Sequence, residues 1–264
     1  MFENTYLPDV IEFKNVCQSY YDPKRKQNNV VIKDMNLLIE DKPGQGQFVV
    51  ILGKSGCGKS TILRHIAGLQ QPTSGEILIN GKPRTRDFKA SMIFQRYSSF
   101  PWLTVYGNVE FGLKLTQAPE KERKERVTKM IETVGLTGHE NKYPSELSGG
   151  QQQRVAIARS LLCNAHVLLV DEPFSALDIK TRLGMQEFLR SLWMTMDNIT
   201  VIMVTHDIPE AVYLADEVWV MGANPGRIID RIPINLPMER SKDIKRSQAF
   251  IDYVYQLEDR LYEN

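Results

Sequence analysis

The residues GKSGCGKS at positions 53–60 decide how the rest of the chain is interpreted. They match the pattern GxxxxGK[ST], follow an apolar run at residues 48–52 and precede a helix-forming run at residues 61–67. In that context the glycines let backbone N–H groups wrap phosphates, the lysine reaches the β and γ oxygens, and the serine ligates magnesium. The motif therefore predicts a nucleoside triphosphate site. Within it, Cys57 is expected to be a small filler and a target for thiol reagents.

Length and composition exclude several classes of protein. A chain of 264 residues with 42% hydrophobic and 25% charged residues is typical of a soluble globular protein of one large or two modest domains. The net charge of +1 provides no basic field, which argues against a protein that coats nucleic acid. No secretory signal and no apolar run near the roughly 18 residues of a spanning helix are evident. We expect any membrane association to go through a partner, and the three scattered cysteines fit a reduced compartment.

Polar side chains follow two apolar runs at the points where the predicted strands end. Asp171 and Glu172 come after residues 167–170, and His206 follows residues 200–204. Since the carboxyl ends of parallel strands carry the ligand sites of α/β sheets, Asp171 is suited to hold magnesium and Glu172 to orient or deprotonate the attacking water. His206 is placed to touch the γ-phosphate and hold that water. The structural alternative is that the two carboxylates only cap the next helix.

Two further residues are candidates for the same site. Gln95 follows a short predicted strand at residues 91–94 and can reach magnesium or the water, although a lone glutamine is as often a polar loop residue. Tyr20 precedes the run at residues 30–39 and can stack on an adenine. Tyr21 competes with it for that role, and either ring can equally belong to the core.

The residues LSGGQQQR at positions 147–154 place a serine and two glycines before a helix-forming run. The backbone N–H groups at such a helix start face anions, and phosphate is the obvious candidate. Ser148 is also a plausible N-cap, so the alternative is an ordinary capped helix.

With these motifs in order, the chain resembles the nucleotide-binding subunit of an ABC transporter from about residue 10 to residue 232. That resemblance implies an α/β fold: a P-loop NTPase with a RecA-like core, an antiparallel β subdomain and an inserted α-helical subdomain. The core with its β subdomain is expected at residues 1–95 and 163–235, the helical subdomain with the signature at residues 96–162, and a C-terminal helical tail at residues 236–264.

The resemblance also implies a composite site for ATP and Mg²⁺ in a head-to-tail dimer, where the signature of one subunit closes over ATP on the P-loop of the other. The catalytic residues would be Glu172, His206 and Gln95, and the metal ligands Ser60, Gln95 and Asp171. The expected nucleotide contacts are Tyr20, Gly53, Ser55, Gly56, Cys57, Gly58, Lys59, Ser60, Thr61, Ser148, Gly149, Gly150, Gln151 and Asp178.

A finer resemblance, to importer subunits of the nitrate, sulfonate and taurine group, lies in residues 94–105 and 224–228. It implies that the loop from Arg96 to Trp102 contacts transmembrane permease subunits through an apolar surface of Phe100, Pro101 and Trp102. The alternative for Trp102 is a core position. The expected partners also include a second ATP-binding subunit, identical or paralogous, and a substrate-binding protein, but no nucleic acid.

These partners would place the chain at the cytoplasmic face of the inner membrane. The rival functions are the ATPase of an ABC exporter, whose direction the membrane partner would set, and a soluble ABC ATPase that acts on nucleic acid or ribosomes.

Overall fold

The computed structural model describes residues 11–24, 26–40, 46–79, 81–85, 88, 90–95, 98–115, 118–163, 167–196 and 199–262. The strands are β1 Ile11–Asp22, β2 Gln27–Ile39, β3 Phe48–Gly53, β4 Ser74–Ile79, β5 Lys82–Pro83, β6 Ala90–Ile93, β7 Val167–Asp171, β8 Thr200–Thr205, β9 Glu217–Gly222 and β10 Arg227–Pro233. The helices are α1 Lys59–Ala67, α2 Val105–Leu115, α3 Glu120–Thr133, α4 Gly149–Leu161, α5 Ile179–Met194, α6 Ile208–Leu214 and α7 Gln248–Tyr262.

The larger sheet has six strands in the order β10-β9-β3-β8-β7-β6. Five of them are parallel, and only β10 pairs antiparallel, with β9. Every residue of β3, β7 and β8 is buried, as expected for apolar parallel strands covered on both faces. The carboxyl ends of these three neighbouring strands therefore meet at one edge of the sheet, where the predicted chemistry lies.

The smaller sheet is antiparallel, in the order β2-β1-β4-β5. The short β-rich run at residues 10–13 predicts a short first strand, whereas β1 continues to Asp22. Register shifts after Phe13 and a left-handed Asn15, with φ of 49°, interrupt the alternation on which the prediction depended. Tyr20 and Tyr21 consequently lie inside β1 and not in a loop before the next strand.

Within the described part of the chain between β6 and β7 lie three α-helices, α2, α3 and α4, and a short 3₁₀ helix at Pro144–Glu146. Helix α2 packs against both α3 and α4. The pattern of residues 119–134 predicts a charged helix with one apolar stripe, and in the structure Val127, Ile131 and Val134 of that stripe are buried. The predicted boundaries of this helical subdomain, residues 96–162, stay a prediction, although all three helices fall within them.

The C-terminal segment packs against the larger sheet and the neighbouring helix α6. Helix α7 contacts α6 and β9 and buries Phe250, Leu257 and Leu261. Ahead of α7, the buried Arg240 donates hydrogen bonds to three carbonyls at the end of α6, where a cation is favourable. None of the helices within the described ranges combines the length and the apolarity that crossing a bilayer requires.

Candidate functional site

The glycine-rich loop connects the end of β3 to the start of α1. Gly56 and Gly58 have left-handed φ values of 83° and 106°, which glycine adopts without steric cost. The Lys59 ammonium is 4% exposed and donates to the carbonyls of Gly53, at 2.8 Å, and Lys54, at 3.2 Å. The loop thus folds back over its own lysine and holds the positive charge under the exposed backbone.

An oxygen-donor set suited to magnesium lies next to this lysine. The Ser60 hydroxyl donates to the Asp171 carboxylate at 2.7 Å, although the two residues are 111 positions apart in the chain. Burial raises the pKa of Asp171, the hydrogen bond from Ser60 opposes that shift, and the charge of Glu172 adds to it. Hydroxyl, carboxylate and amide oxygens are what a hard divalent cation selects, so Ser60, Asp171 and Gln95 fit Mg²⁺. The ion would supply neutralisation of the phosphate charge.

Glu172 occupies the centre of the site. It follows β7 with φ of 42°, and its N–H donates to the carbonyl of Val204 on β8 at 3.1 Å. One carboxylate oxygen lies 3.6 Å from Nζ of Lys59, and the other lies 3.0 Å from Nδ1 of His206. A single carboxylate therefore bridges the lysine of the glycine-rich loop and the histidine. The convergence of β3, β7 and β8 at one edge of the sheet explains this arrangement.

A cavity of about 340 Å³ opens over the loop. Its lining consists of Val31, Ser55, Gly56, Gly58, Lys59, Ser60, Thr61, Gln95 and Glu172. His206 and Glu172 line a neighbouring cavity of about 60 Å³. A larger cavity, of about 580 Å³, lies at the opposite edge of the sheet beside the first residues of β3, away from the predicted chemistry.

The signature residues lie outside the cavity over their own loop. Ser148 caps α4: it accepts from the N–H of Gln151 at 3.4 Å, and its own N–H donates to the Gln151 side chain at 2.9 Å. Gly149 and Gly150 form the first turn of α4, and Gly150 packs against Thr181 of α5. The ordinary capping role of Ser148 is therefore present, and Ser148, Gly149 and Gly150 do not line the cavity over this subunit's own P-loop.

Two other predicted nucleotide contacts make different interactions. Asp178 caps α5 by accepting from the N–H of Thr181 at 3.1 Å. The Tyr20 hydroxyl hydrogen bonds to Gln70, and its side chain is 41% exposed, whereas Tyr21 is 64% exposed. Neither tyrosine belongs to the core, and a role in adenine stacking stays a prediction.

Two expectations about single side chains are corrected. Cys57 is buried, and burial raises the pKa of its thiol, so the expected reactivity toward thiol reagents is not supported. Trp102 is 69% exposed, so a core position is wrong. Its ring stacks on Phe100 at 5.2 Å, and Arg159 lies over Phe100 at 4.6 Å. Arg96 and Tyr97, the first residues of the predicted contact loop, lie outside the described residues.

Sequence reasoning missed several residues that line the two cavities, among them Val31, Arg182 and Glu210. Val31 lines the larger of the two nucleotide-side cavities, and Arg182 and Glu210 line the smaller one behind His206. Of these residues, only Glu210 had a signal in the sequence. Asp207 and Glu210 are three positions apart at the start of a helix, which is the spacing of an N-terminal capping box. Val31 and Arg182 come from other parts of the chain and have no local signature.

Comparison with known proteins identifies this arrangement. A family model described as ABC transporter matches residues 33–175. The chain belongs to the ABC transporter family. The ABC ATPase fold predicted from the sequence is thereby confirmed, as are ATP and Mg²⁺ as its ligands and ATP hydrolysis coupled to transport as its activity.

Relatives of known name cover most of the chain. It is 47% identical over 231 residues to the nitrate import ATP-binding protein NrtD of Synechocystis sp., covering 85% of each chain. It is 44% identical over 243 residues to the aliphatic sulfonates import ATP-binding protein SsuB of Bacillus cereus, covering 92% of this chain and 94% of the relative.

Solved structures of ABC cassettes share the fold. The dimeric cassette MJ0796 bound to ADP and phosphate matches with a TM-score of 0.72 and 33% identity, over 86% of this chain and all of the other. CbiO1 of Clostridium perfringens matches with a TM-score of 0.74 and 28% identity, over 96% and 97%.

For this ABC ATPase we expect Lys59→Met to weaken ATP binding by about tenfold to a hundredfold. A charge-assisted hydrogen bond is worth about 1.5–3 kcal/mol, and the substitution removes a lysine whose side chain lines the P-loop cavity. Titration with a fluorescent ATP analogue measures the loss. Lys54→Met is the matched control, because Lys54 is exposed in the same loop and its ammonium faces the ring of Tyr262. Equal losses in the two variants would contradict the role of Lys59.

Proposed function

We propose that this chain powers an importer for a small oxyanion or an organosulfur solute such as nitrate, a sulfonate or taurine. It works as one of two ATP-binding subunits, the second being a copy or a paralogue. ATP binding closes the pair, and hydrolysis and product release reopen it. Direction and substrate belong to the proposal, and the transported solute need not touch this subunit.

The observation that carries the proposal is the continuous set of contacts around Glu172. This carboxylate lies between Lys59 and His206, while Asp171 holds Ser60 beside the same loop. A carboxylate in that position is suited to orient or deprotonate a water aimed at a γ-phosphate held by Lys59. The geometry supports Glu172 as catalytic base, His206 as the residue that holds it in place, and Ser60, Asp171 and Gln95 as metal ligands.

The location of the signature supports a composite site. Its serine and glycines lie at the N-terminus of α4, where backbone N–H groups favour phosphate oxygens, yet they are not part of the cavity over their own P-loop. A second subunit, placed head to tail, would supply this helix start to the first. The relative MJ0796 with ADP and phosphate is described as dimeric, which agrees with that arrangement.

The exposed aromatic surface supports attachment to a membrane partner. The exposed Trp102 stacks on the half-buried Phe100, and the half-buried Phe111 contacts Phe100 edge-on at 4.8 Å, so the three rings form one continuous apolar patch. We propose that permease subunits dock on this aromatic patch, defined as Phe100, Trp102 and Phe111. The chain would then lie at the cytoplasmic face of the membrane, and a substrate-binding protein would deliver the solute from the other side.

The substrate class rests on the relatives. NrtD is named for nitrate import and SsuB for import of aliphatic sulfonates, and both cover most of this chain. The test is reconstitution of the chain with its co-purifying membrane subunit and binding protein in vesicles. ATP-dependent uptake of a labelled oxyanion or sulfonate would support the proposal. ATP-dependent efflux, or stable association with ribosomes or DNA and no membrane subunit, would refute it.

Replacing Trp102 by serine is expected to weaken the complex with the membrane subunit by about 30-fold or more, because an exposed aromatic anchor contributes about 2 kcal/mol at such interfaces. Hydrolysis by the isolated chain should stay within about twofold of the wild type. Affinity is measured by retention in vesicles that contain the membrane subunit. Tyr255→Ser is the control, since Tyr255 is 61% exposed on α7, outside the aromatic patch. Equal loss in both variants would count against the docking site.

A further inference from the structure

One face of α5 carries a row of polar side chains that packs on α6, directly behind the histidine. Arg182, Gln186 and Arg190 are spaced four residues apart and share that face. Arg182 lies 3.6 Å from the Asp207 carboxylate, Gln186 donates to Glu210 at 3.0 Å, and Arg190 donates to the last carbonyl of α6 at 2.8 Å. The helix that follows the Asp178 loop is thereby joined along its length to the helix that follows His206.

Glu210 is the buried centre of this contact. Its side chain is 4% exposed and accepts hydrogen bonds from Gln186 and Thr205. Its backbone N–H donates to the Asp207 carboxylate at 2.9 Å. Thr205 and Asp207 are the neighbours of His206 on either side, so one residue is hydrogen bonded to both ends of the three-residue segment that carries the histidine.

The C-terminal segment fixes the orientation of Gln186. Lys245 donates to Oε1 of Gln186 at 2.7 Å, which leaves the amide NH₂ group to donate to Glu210. The Lys245 ammonium also lies 4.3 Å from the centre of the Tyr213 ring. Lys245 of the C-terminal segment is therefore linked to Glu210 through the side-chain amide of Gln186.

We propose that Glu210 is a positioning residue for His206 and that Gln186 and Lys245 set how firmly it holds the histidine segment. The inference rests on the proposed role of His206 and Glu172 in hydrolysis. It assigns the C-terminal segment a function in turnover, through hydrogen bonds that reach the site from behind.

The charges around Glu210 give the expected direction of a pH effect. Burial raises the pKa of Glu210 to about 7; hydrogen bonds from Thr205 and Gln186 and the charge of Arg182 oppose this, whereas the charge of Asp207 adds to it. His206 and Glu172 share the small cavity with Glu210, and Lys245 and Glu187 are the other charges nearby. The carboxylate form accepts stronger hydrogen bonds than the protonated form. We therefore expect kcat to fall as pH falls through about 7.

The experiment measures kcat and KM for ATP from about pH 5.5 to about pH 9. Glu210→Gln mimics the protonated carboxyl, so its kcat should be low at every pH, about tenfold below the value that the wild type reaches at high pH. The variant should also lack the acid limb, which is the fall of kcat as pH drops through about 7. Lys245→Met removes a nearby cation and should move the limb upward by about 0.5–1 pH unit, with KM unchanged. Lys242→Met is the control, since Lys242 is 74% exposed and pairs with Glu187. A limb that persists in Glu210→Gln, or an equal shift in Lys242→Met, would overturn the proposal.

Thermal unfolding tests burial of the titrating carboxyl independently of turnover. With a folded-state pKa near 7 against 4.5 in the unfolded chain, Glu210 stabilises the fold below that lower value, and the stabilisation is lost as pH rises to about 7. The Tm of the wild type should therefore fall relative to the Tm of Glu210→Gln as pH rises from 4.5 to about 7. Parallel curves of Tm against pH for the two proteins would refute the assignment. If wild type hydrolyses ATP and Glu172→Gln does not, the proposed function stands whatever the Glu210 variants show. Absence of hydrolysis in wild type would remove both.

Discussion

Glu172→Gln is expected to bind ATP as well as the wild type does and to hydrolyse it about a thousandfold more slowly. The amide keeps the size of the side chain but accepts no proton, and general-base catalysis contributes about 10²–10⁴-fold to rate. It also replaces the charged partner of Lys59 and His206 by a neutral one. ATP affinity should not fall, because removing a carboxylate next to the phosphate site lowers repulsion.

Single-turnover hydrolysis and equilibrium ATP binding, measured on the same preparation, separate these effects. Glu132→Gln is the matched control: it makes the same chemical change on the exposed face of α3 and should leave both quantities unchanged. The variant should also accumulate as an ATP-bound dimer, since closure persists when hydrolysis is blocked. Steady-state turnover within about threefold of the wild type would exclude Glu172 as the base.

Ser148→Arg is expected to leave ATP binding to the isolated subunit intact and to stop hydrolysis by the dimer. Ser148 lies at the start of α4 and does not line the cavity over its own P-loop, so we expect a bulky cation there to leave the same subunit's nucleotide site undisturbed. In a head-to-tail pair it would occupy the position where the partner's phosphates meet the helix N-terminus. Loss of the cap contributes about 1 kcal/mol of destabilisation, which is too little to unfold the chain.

Dimers mixed from two variants test whether Ser148→Arg acts on the partner's nucleotide site or damages the nucleotide site of its own subunit. Ser148→Arg and Lys59→Met, placed on the two subunits of one dimer, leave one intact combination of P-loop and signature. At an ATP concentration too low to fill the Lys59→Met site, random mixing of the two variants should restore about a quarter of wild-type hydrolysis if the sites act independently. Glu125→Arg, on the exposed face of α3, controls for the added charge. No recovery on mixing, together with weak ATP binding by Ser148→Arg alone, would show that the signature serves its own subunit.

Much of the larger sheet was predictable because its strands are locally consistent. The sequence runs that form β3, β7 and β8 are apolar and rich in β-branched residues. Because both faces of these strands are buried, a continuous apolar run is enough to identify them, and no alternation of apolar and polar residues is needed. The first strand was not predictable to the same extent. Its shifted register and the left-handed Asn15 break the period-two pattern, although the segment pairs with both β2 and β4.

The proposed catalytic centre was predictable because Asp171 ends a recognisable strand and Glu172 and His206 directly follow one. Asp171, Glu172 and His206 are placed by β7 and β8, so proximity follows from parallel pairing alone. Arg182 and Gln186, which lie behind the histidine, were not predictable, because they reach the histidine segment only through the packing of α5 on α6. Lys245 lies 59 positions from its partner, and no local pattern encodes such a contact.

The backbone of Glu172 has a consequence for how far this protein can be made more robust. An L-residue in the left-handed region costs about 1–2 kcal/mol, and Glu172 adopts it with φ of 42° while its N–H is held by β8. Selection for heat resistance alone would therefore favour glycine or asparagine at this position. Directed-evolution libraries screened only for folded protein should accumulate inactive clones here, and a thermostable version of this motor must draw its gains from elsewhere in the chain.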